Sequence, residues 1–201
     1  MDTWTDFIKE YGTLILAITG IAQFWVIAFV NEYVRKARLS LYTGDAVRLI
    51  VSPNGSVSKF HLMCNLVNKS SKTGTLHRLE AIVHGPNNVA YNFAWKLFYR
   101  YLGGGLQVDK ESDPYPISVA PRDSKLKFVE FEANPIGQAI SWPVGNYEFR
   151  VIGWVNRANR KETSNLELNF HTTVTQALAQ QLGQPNPQQP IFILIPITEW
   201  S

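Results

Sequence analysis

The sequence predicts an all-β domain carried on one N-terminal transmembrane helix, and three observations lead to that reading. Residues 12–31 are a run of twenty uncharged residues, GTLILAITGIAQFWVIAFVN. Beyond Leu39 the pattern changes to alternation of apolar and polar residues, the period of strands with one face buried and one wet. Gly, Pro, Asn and Asp signals punctuate the alternating segments, and no amphipathic helix interrupts the series. At 201 residues the chain has room for one helix and one domain of about 100–150 residues. The expected division is a short flank over residues 1–11, a span over 12–34, a basic juxtamembrane linker over 35–44, a β-sandwich domain over 45–183, a linker over 184–190 and an apolar tail over 191–201.

At 1.5 Å per residue, a twenty-residue helix covers the hydrocarbon core of a bilayer, about 30 Å. Ten positions in the run are Leu, Ile, Val or Phe, and together they favour insertion by roughly 3–6 kcal/mol. Tyr11 and Tyr33 bracket the run at interfacial depth, with Trp25 inside it. A cleaved signal peptide calls for a basic start and a shorter apolar core, whereas this start is acidic. A buried globular helix calls for a polar face, which Thr13, Thr19, Gln23 and Asn31 do not make. Asp2, Asp6 and Glu10 precede the run with one lysine, and Arg35, Lys36 and Arg38 follow it. The positive-inside rule therefore puts the N terminus outside and the C-terminal domain in the cytoplasm. Reversed topology would instead export the domain as a receptor or adhesion module, where the sequons at Asn54 and Asn68 would matter.

Strands are predicted wherever same-parity apolar residues recur. Val47, Leu49 and Val51 share a face, as do Phe60, Leu62, Cys64 and Leu66. So do Leu79, Ala81 and Val83, and then the long series from Val89 through Tyr91, Phe93, Trp95, Leu97 and Tyr99 to Tyr101. Val129 with Phe131, Tyr147 with Phe149, Val151 and Val155, and Leu166 with Leu168, Phe170 and Val174 complete the set. About seven or eight short strands in such a stretch meet the requirement of an antiparallel sandwich of immunoglobulin-like kind. The chain is similar in general appearance to immunoglobulin-like and fibronectin-like sandwiches, without their Cys-Trp-Cys framework, since Cys64 is the one cysteine. Residues 174–182 read as a short helix or a continuation of the last strand, and the prolines of 184–190 as a stiff connector. The tail, with Ile191, Phe192, Ile193, Leu194 and Ile195, reads as a last edge strand, as a strand added to a partner's sheet, or as a shallow membrane contact.

Charged residues make up 17% of the chain, below the usual quarter, which excludes global disorder. The formal net charge is +3, and because residues 1–34 carry one base against four acids, the remainder holds 18 basic and 12 acidic groups, net +6. No stripe of Lys and Arg with stacking aromatics accompanies that bias, so nucleic acid is not an expected partner. His61 and Cys64 have the look of an HxxC pair, yet three-residue spacing on a strand sends them to opposite faces, and no metal or cofactor is expected. Cys64 has the parity of core residues. Asp109, Glu111 and Asp113 read as an acidic loop without the glycine and terminal glutamate of a calcium loop. Residues 103–105, three glycines, lack the ending of a phosphate loop. Arg157, Arg160 and Lys161 mark a hairpin tip that a partner could touch, near an outward face bearing Ile152 and Trp154.

No nucleophile with its base and no pair of carboxylates on a common strand face is recognised, which argues against an enzyme. The expected function is a protein-interaction or assembly module held at the cytoplasmic face, with the bilayer and a protein or second copy of the chain as partners. The alternative is a sensor that takes a small ligand of undefined identity and signals, or perturbs the bilayer, through oligomerisation of its span.

Overall fold

The computed structural model describes residues 3–30, 37–52, 56–86, 89–102, 107–136, 140–155, 166–183 and 191–200. They fall into two units, Met1–Lys36 and Ala37–Ser201.

The first unit is helix α1, Thr3–Phe29. It starts earlier than the predicted span, and its stretch Tyr11–Phe29 is long and apolar enough to cross a membrane, a property that a signal sequence shares. Large apolar side chains point outward on every side of it, among them Leu16 at 74% exposure and Phe24 and Trp25 at 68%.

The second unit contains β1 (Leu39–Thr43), β2 (Ala46–Val51), β3 (Val57–Asn68), β4 (Gly74–His84), β5 (Ala90–Leu102), β6 (Gln107–Ser112), β7 (Ile117–Val119), β8 (Ser124–Ala133), β9 (Gly145–Val155), β10 (Leu166–Val174), helix α2 (Gln176–Leu182) and β11 (Ile191–Trp200). Every pairing is antiparallel. Eight strands follow one another in the order β5, β8, β3, β2, β11, β10, β9, β4, and β4 pairs back onto β5 from Glu80↔Ala94 to His84↔Ala90. The sheet is thus a closed barrel, and the expectation of an immunoglobulin-like sandwich is overturned. Alternation of apolar and polar residues is common to both architectures; what separates them is whether the sheet returns on itself. β1, β6 and β7 lie outside the ring on β3, β5 and β4.

The inward parity is the one the sequence predicts for most strands. Val47, Leu49, Phe60, Leu62, Leu66, Val83, Val129, Phe131, Phe149, Val151 and Phe170 are at most 1% exposed. Phe60 sits at the centre, 4.8 Å from Phe93, 4.9 Å from Phe131 and 5.4 Å from Phe149, which in turn stacks on Phe170 at 5.0 Å. These offset and edge-on contacts let large rings fill the narrow interior of an eight-stranded barrel.

β5 departs from its predicted parity. A bulge between Trp95 and Leu97 inserts one residue and exchanges the faces beyond it. Phe98 therefore enters the core, and Leu97, Tyr99 and Tyr101 turn to the outer side. The tail is not an appendage: residues 191–196 pair with β2, and residues 197–200 pair with β10. The juxtamembrane linker is shorter than expected, because Leu39–Thr43 already forms β1 with Leu41 buried.

Two local devices fix the ends of strands. Asn68, fully buried, donates from Nδ2 to the carbonyls of Lys72 at 2.7 Å and Val119 at 3.0 Å, while its Oδ1 accepts from the Ser70 amide and hydroxyl. It ties the β3–β4 turn to β7. Gly145 opens β9 at φ +150°, where a Cβ would lie 2.9 Å from Pro86, so an L side chain is excluded by both backbone and space.

Phe60→Ala is expected to cost about 3–5 kcal/mol of unfolding free energy, the range for a large ring removed from a packed core. Urea denaturation of the full chain checks this, and a loss under 1 kcal/mol would mean that the rings do not form one core.

Candidate functional site

The most unusual chemistry lies on the outer face of the sheet where β5, β8, β3, β2 and β11 run side by side. Residues between the inward rows of β3 and β8 point here: Lys59, His61 and Met63 from one, Phe128, Glu130 and Glu132 from the other. The register aligns Arg48 with His61 and His61 with Glu130 across three strands. His61 is only 2% exposed although it faces away from the barrel core. The ring of Tyr99 covers it at 3.8 Å, an outcome of the β5 bulge, and Phe192 lies 5.9 Å away.

An alternating ladder of charge crosses this wall. His61 Nε2 donates to Glu130 Oε2 at 3.0 Å; Lys59 Nζ lies 3.0 Å from Glu130 Oε1 and 3.3 Å from Glu132 Oε1; Lys96 Nζ lies 3.0 Å from Glu132 Oε2. Glu130 and Glu132 are thus two carboxylates on a common strand face, a pairing that sequence reading missed. With Glu130 ionised, the neutral imidazole keeps its Nδ1 as an acceptor, and among the described residues that buried atom has no hydrogen-bond partner.

Burial holds the His61 imidazole below its ordinary value, with Arg48 and Lys59 adding to the effect and Glu130 opposing it. For Glu130 burial raises the carboxyl, but hydrogen bonds from His61 and Lys59 outweigh it and the group stays below the usual range. Lys59 is lowered by burial and lifted further by Glu130 and Glu132, ending above its usual value. Tyr99 is pushed far up, by burial first and then by its bond to Tyr101, whose hydroxyl is 3.2 Å away.

Beside the ladder is a shallow hollow of about 250 Å³ lined by Gly44, Asp45, Ala46, Arg48, Met63, Tyr101 and Phe128. The Arg48 guanidinium lies 4.4 Å from the centre of the Tyr101 ring and 5.5 Å from that of Phe192. Tyr101 meets Phe128 edge-on at 4.8 Å. Its lining residues include a guanidinium, a carboxylate, two rings and a thioether, groups that suit a small molecule with a flat face and hydrogen-bonding groups.

A second hollow, about 280 Å³, opens at the end of the barrel beneath α2, between Val57, residues 140–143 and the helix residues Ala179 and Leu182. Thr175 caps α2, its hydroxyl accepting from the Leu178 amide at 3.4 Å.

The residues singled out by sequence are distributed as follows. Tyr11 and Trp25 project from α1, at 41% and 68% exposure. Arg38 is exposed, and its carbonyl accepts from the Lys69 amide. Tyr33, Arg35, Lys36, Arg157, Arg160 and Lys161 lie outside the described residues, as do the connector 184–190 and Asn54. In β11, Ile193 and Ile195 are buried and Ile191 is packed against the core, while Phe192 and Leu194 face outward. The supposed acidic loop is mostly strand β6, and its charges are paired: Asp109 with Arg100, Glu111 with Lys127, Asp113 with Lys110. Among the described residues no group of three His, Cys, Asp or Glu is placed to hold a metal. Cys64 faces the core, and burial raises its thiol to about 12, which leaves no thiolate at neutral pH. Arg78 covers Trp154 at 4.9 Å, so that part of the outward face is occupied within the chain. The sequon at Asn68 falls on a side-chain nitrogen already committed to two carbonyls.

No family model and no curated protein sequence matches the chain. Among solved structures, a Bordetella pertussis protein assigned as ApaA shares 9% identity at a TM-score of 0.36, covering 67% of this chain and 94% of its own. A protein assigned as late embryogenesis abundant (LEA) shares 10% identity at a TM-score of 0.40, covering 85% of this chain and 88% of its own. Likeness at this level carries neither family membership nor function to this chain.

The ladder predicts a pH dependence. The unfolded chain takes up a proton at the ordinary histidine value, near 6.5, before folded His61 does, so stability is lost as pH falls through that value and below. Glu130 adds a further loss below about 4.5, and the contribution of Lys59 persists until pH rises through its raised value. Urea denaturation from pH 7 to 4 should show this decline, and His61→Gln should flatten it between about pH 7 and 5. Identical slopes in the two proteins would contradict the assignment.

Proposed function

We propose that the chain is a non-enzymatic, single-pass membrane protein with its N terminus outside and its barrel on the cytoplasmic face, where the barrel binds a small ligand and passes its state to the span by self-association. The observation that carries the reading is the hollow over Arg48, Tyr101 and Phe128, set directly against buried titratable groups whose pKa values are displaced. Such a concave site with few convergent polar groups is where a binding function is expected. Support for the orientation is the acidic flank before the helix and Arg35, Lys36 and Arg38 after it. No catalytic step is assigned, since His61 sits behind Tyr99, Glu130 is buried and Cys64 faces inward.

Incorporation of the tail into the barrel removes the earlier ground for a strand offered to a partner's sheet. Docking of a protein remains a second reading because Leu194 stands outward at 56% exposure beside Phe192, an apolar spot next to the hollow.

Two measurements test the proposal. A Lys125→Cys reporter in a Cys64→Ala background should resist an impermeant maleimide in intact cells and react once the membrane is opened; reaction in intact cells would export the barrel. Full-length protein in detergent should shift its oligomeric state with at least one small anionic aromatic metabolite, and Tyr101→Ala should abolish the shift. A single oligomeric state throughout would favour protein docking instead.

A further inference from the structure

We infer that the end of the barrel opposite the hollow beneath α2 is a docking surface for anionic lipid, a basic cap that seats the domain on the headgroups of the bilayer. The inference rests on the single-pass anchorage proposed above. Three stretches of chain meet at this end, residues 37–43, 65–75 and 117–127, and together they hold six bases against one acid, Asp123. Backbone bonds lock the stretches to one another. The Lys69 amide donates to the Arg38 carbonyl at 3.2 Å, the Asn68 amide to Asp123 at 2.9 Å and the Arg122 amide to Ser70 at 3.2 Å, while the buried Asn68 side chain ties Lys72 and Val119 from beneath. Arg38, Lys69, Arg122 and Lys125 are all exposed on this frame.

The charge of the cap is uncompensated. Elsewhere on the barrel Lys59, Lys96, Arg100, Lys110, Lys127 and Arg150 each lie against a carboxylate. Among the described residues Arg38, Lys69, Arg122 and Lys125 have no such partner, and Lys69 Nζ donates instead to the Tyr42 hydroxyl at 2.8 Å. Arg122 adopts a left-handed backbone at φ 55°, so the turn carries a cation where its conformation favours glycine. Apolar groups stand beside the cations. Tyr42 and Leu126 both face outward, aligned through Asn65 across β1, β3 and β8, at 43% and 52% exposure. Basic residues interleaved with a tyrosine and a leucine suit the boundary between headgroups and acyl chains.

The tether selects lipid over an acidic protein. Arg38 comes nine positions after Phe29, and nine residues span at most about 30 Å. A chain anchored by α1 therefore holds this end of the barrel at a high effective concentration of headgroups, where an affinity too weak for a free partner is sufficient.

The test uses the full chain in liposomes whose phosphatidylcholine carries a headgroup nitroxide, with a nitrobenzoxadiazole label at Ser71→Cys, exposed within the cap, in a Cys64→Ala background. Phosphatidylserine in the bilayer should increase quenching of the label, and salt that shortens the screening length to about 3 Å should abolish the increase. A label at Ile136→Cys, 73% exposed beyond the far end of β8, should show no increase. Lys69→Gln, Arg122→Gln and Lys125→Gln together should lower the docked-to-free ratio about a hundredfold, since each base at an anionic surface contributes about fivefold. Lys69→Arg with Lys125→Arg should preserve it. Equal quenching with and without phosphatidylserine, in a chain that resists extraction by alkaline carbonate, would overturn the inference while the anchorage stands, and would leave the cap to an acidic protein. An increase that survives the triple glutamine variant would also overturn it, and extraction of the chain by carbonate would sink the anchorage and the inference together.

Discussion

Everything in the β domain depends on the ring being closed at two places, where β4 returns to β5 and where the C-terminal strand is laid between β2 and β10. Closure brings the inward rows of eight strands onto one axis, so that Phe60, Phe93, Phe131, Phe149 and Phe170 share a single interior. It also removes free edges from the ring, the liability that open sheets must otherwise manage. The pairing of β11 with β2 joins residues 191–196 to residues 46–51, a contact between segments far apart in sequence.

The same closure explains why the interesting chemistry is on the outside. With the interior of the barrel filled by aromatic rings, polar groups that act together must gather on the wall or at the ends. On the wall, the bulge in β5 turns Tyr99 and Tyr101 outward, and Tyr99 then covers His61. A histidine on the wet face of β3 thereby becomes a buried group tied to Glu130, with Arg48 and Lys59 as charged neighbours. At one end, residues 140–143 and α2 complete the mouth. The charge ladder on the wall is held by strands rather than by free loops, which favours fixed geometry.

The sequence made part of this legible. The apolar helix stood out because its run is long and uncharged, and the inward residues of β2, β3, β4, β8, β9 and β10 stood out because alternation has a fixed period. Three kinds of information were not available from one strand at a time. Closure is a property of pairing, and a sandwich shows the same alternation. The bulge between Trp95 and Leu97 reverses parity with no glycine or proline to mark it, so alternation alone places Tyr99 and Tyr101 on the wrong face. The ladder from His61 to Lys96 requires the register of β3 against β8 and β5. Its one trace in the sequence is that Lys59 and, separately, Glu130 and Glu132 occupy the outward positions of their strands with opposite charge.

Amide hydrogen exchange along the tail tests the closed ring most directly. If β11 is a stave of the barrel, the amides of residues 191–196 that bond to β2 exchange only with global unfolding, as slowly as those of the central part of β3. Exchange of these amides within seconds, while β3 stays protected, would mean that the tail is an appended arm and that the barrel is open.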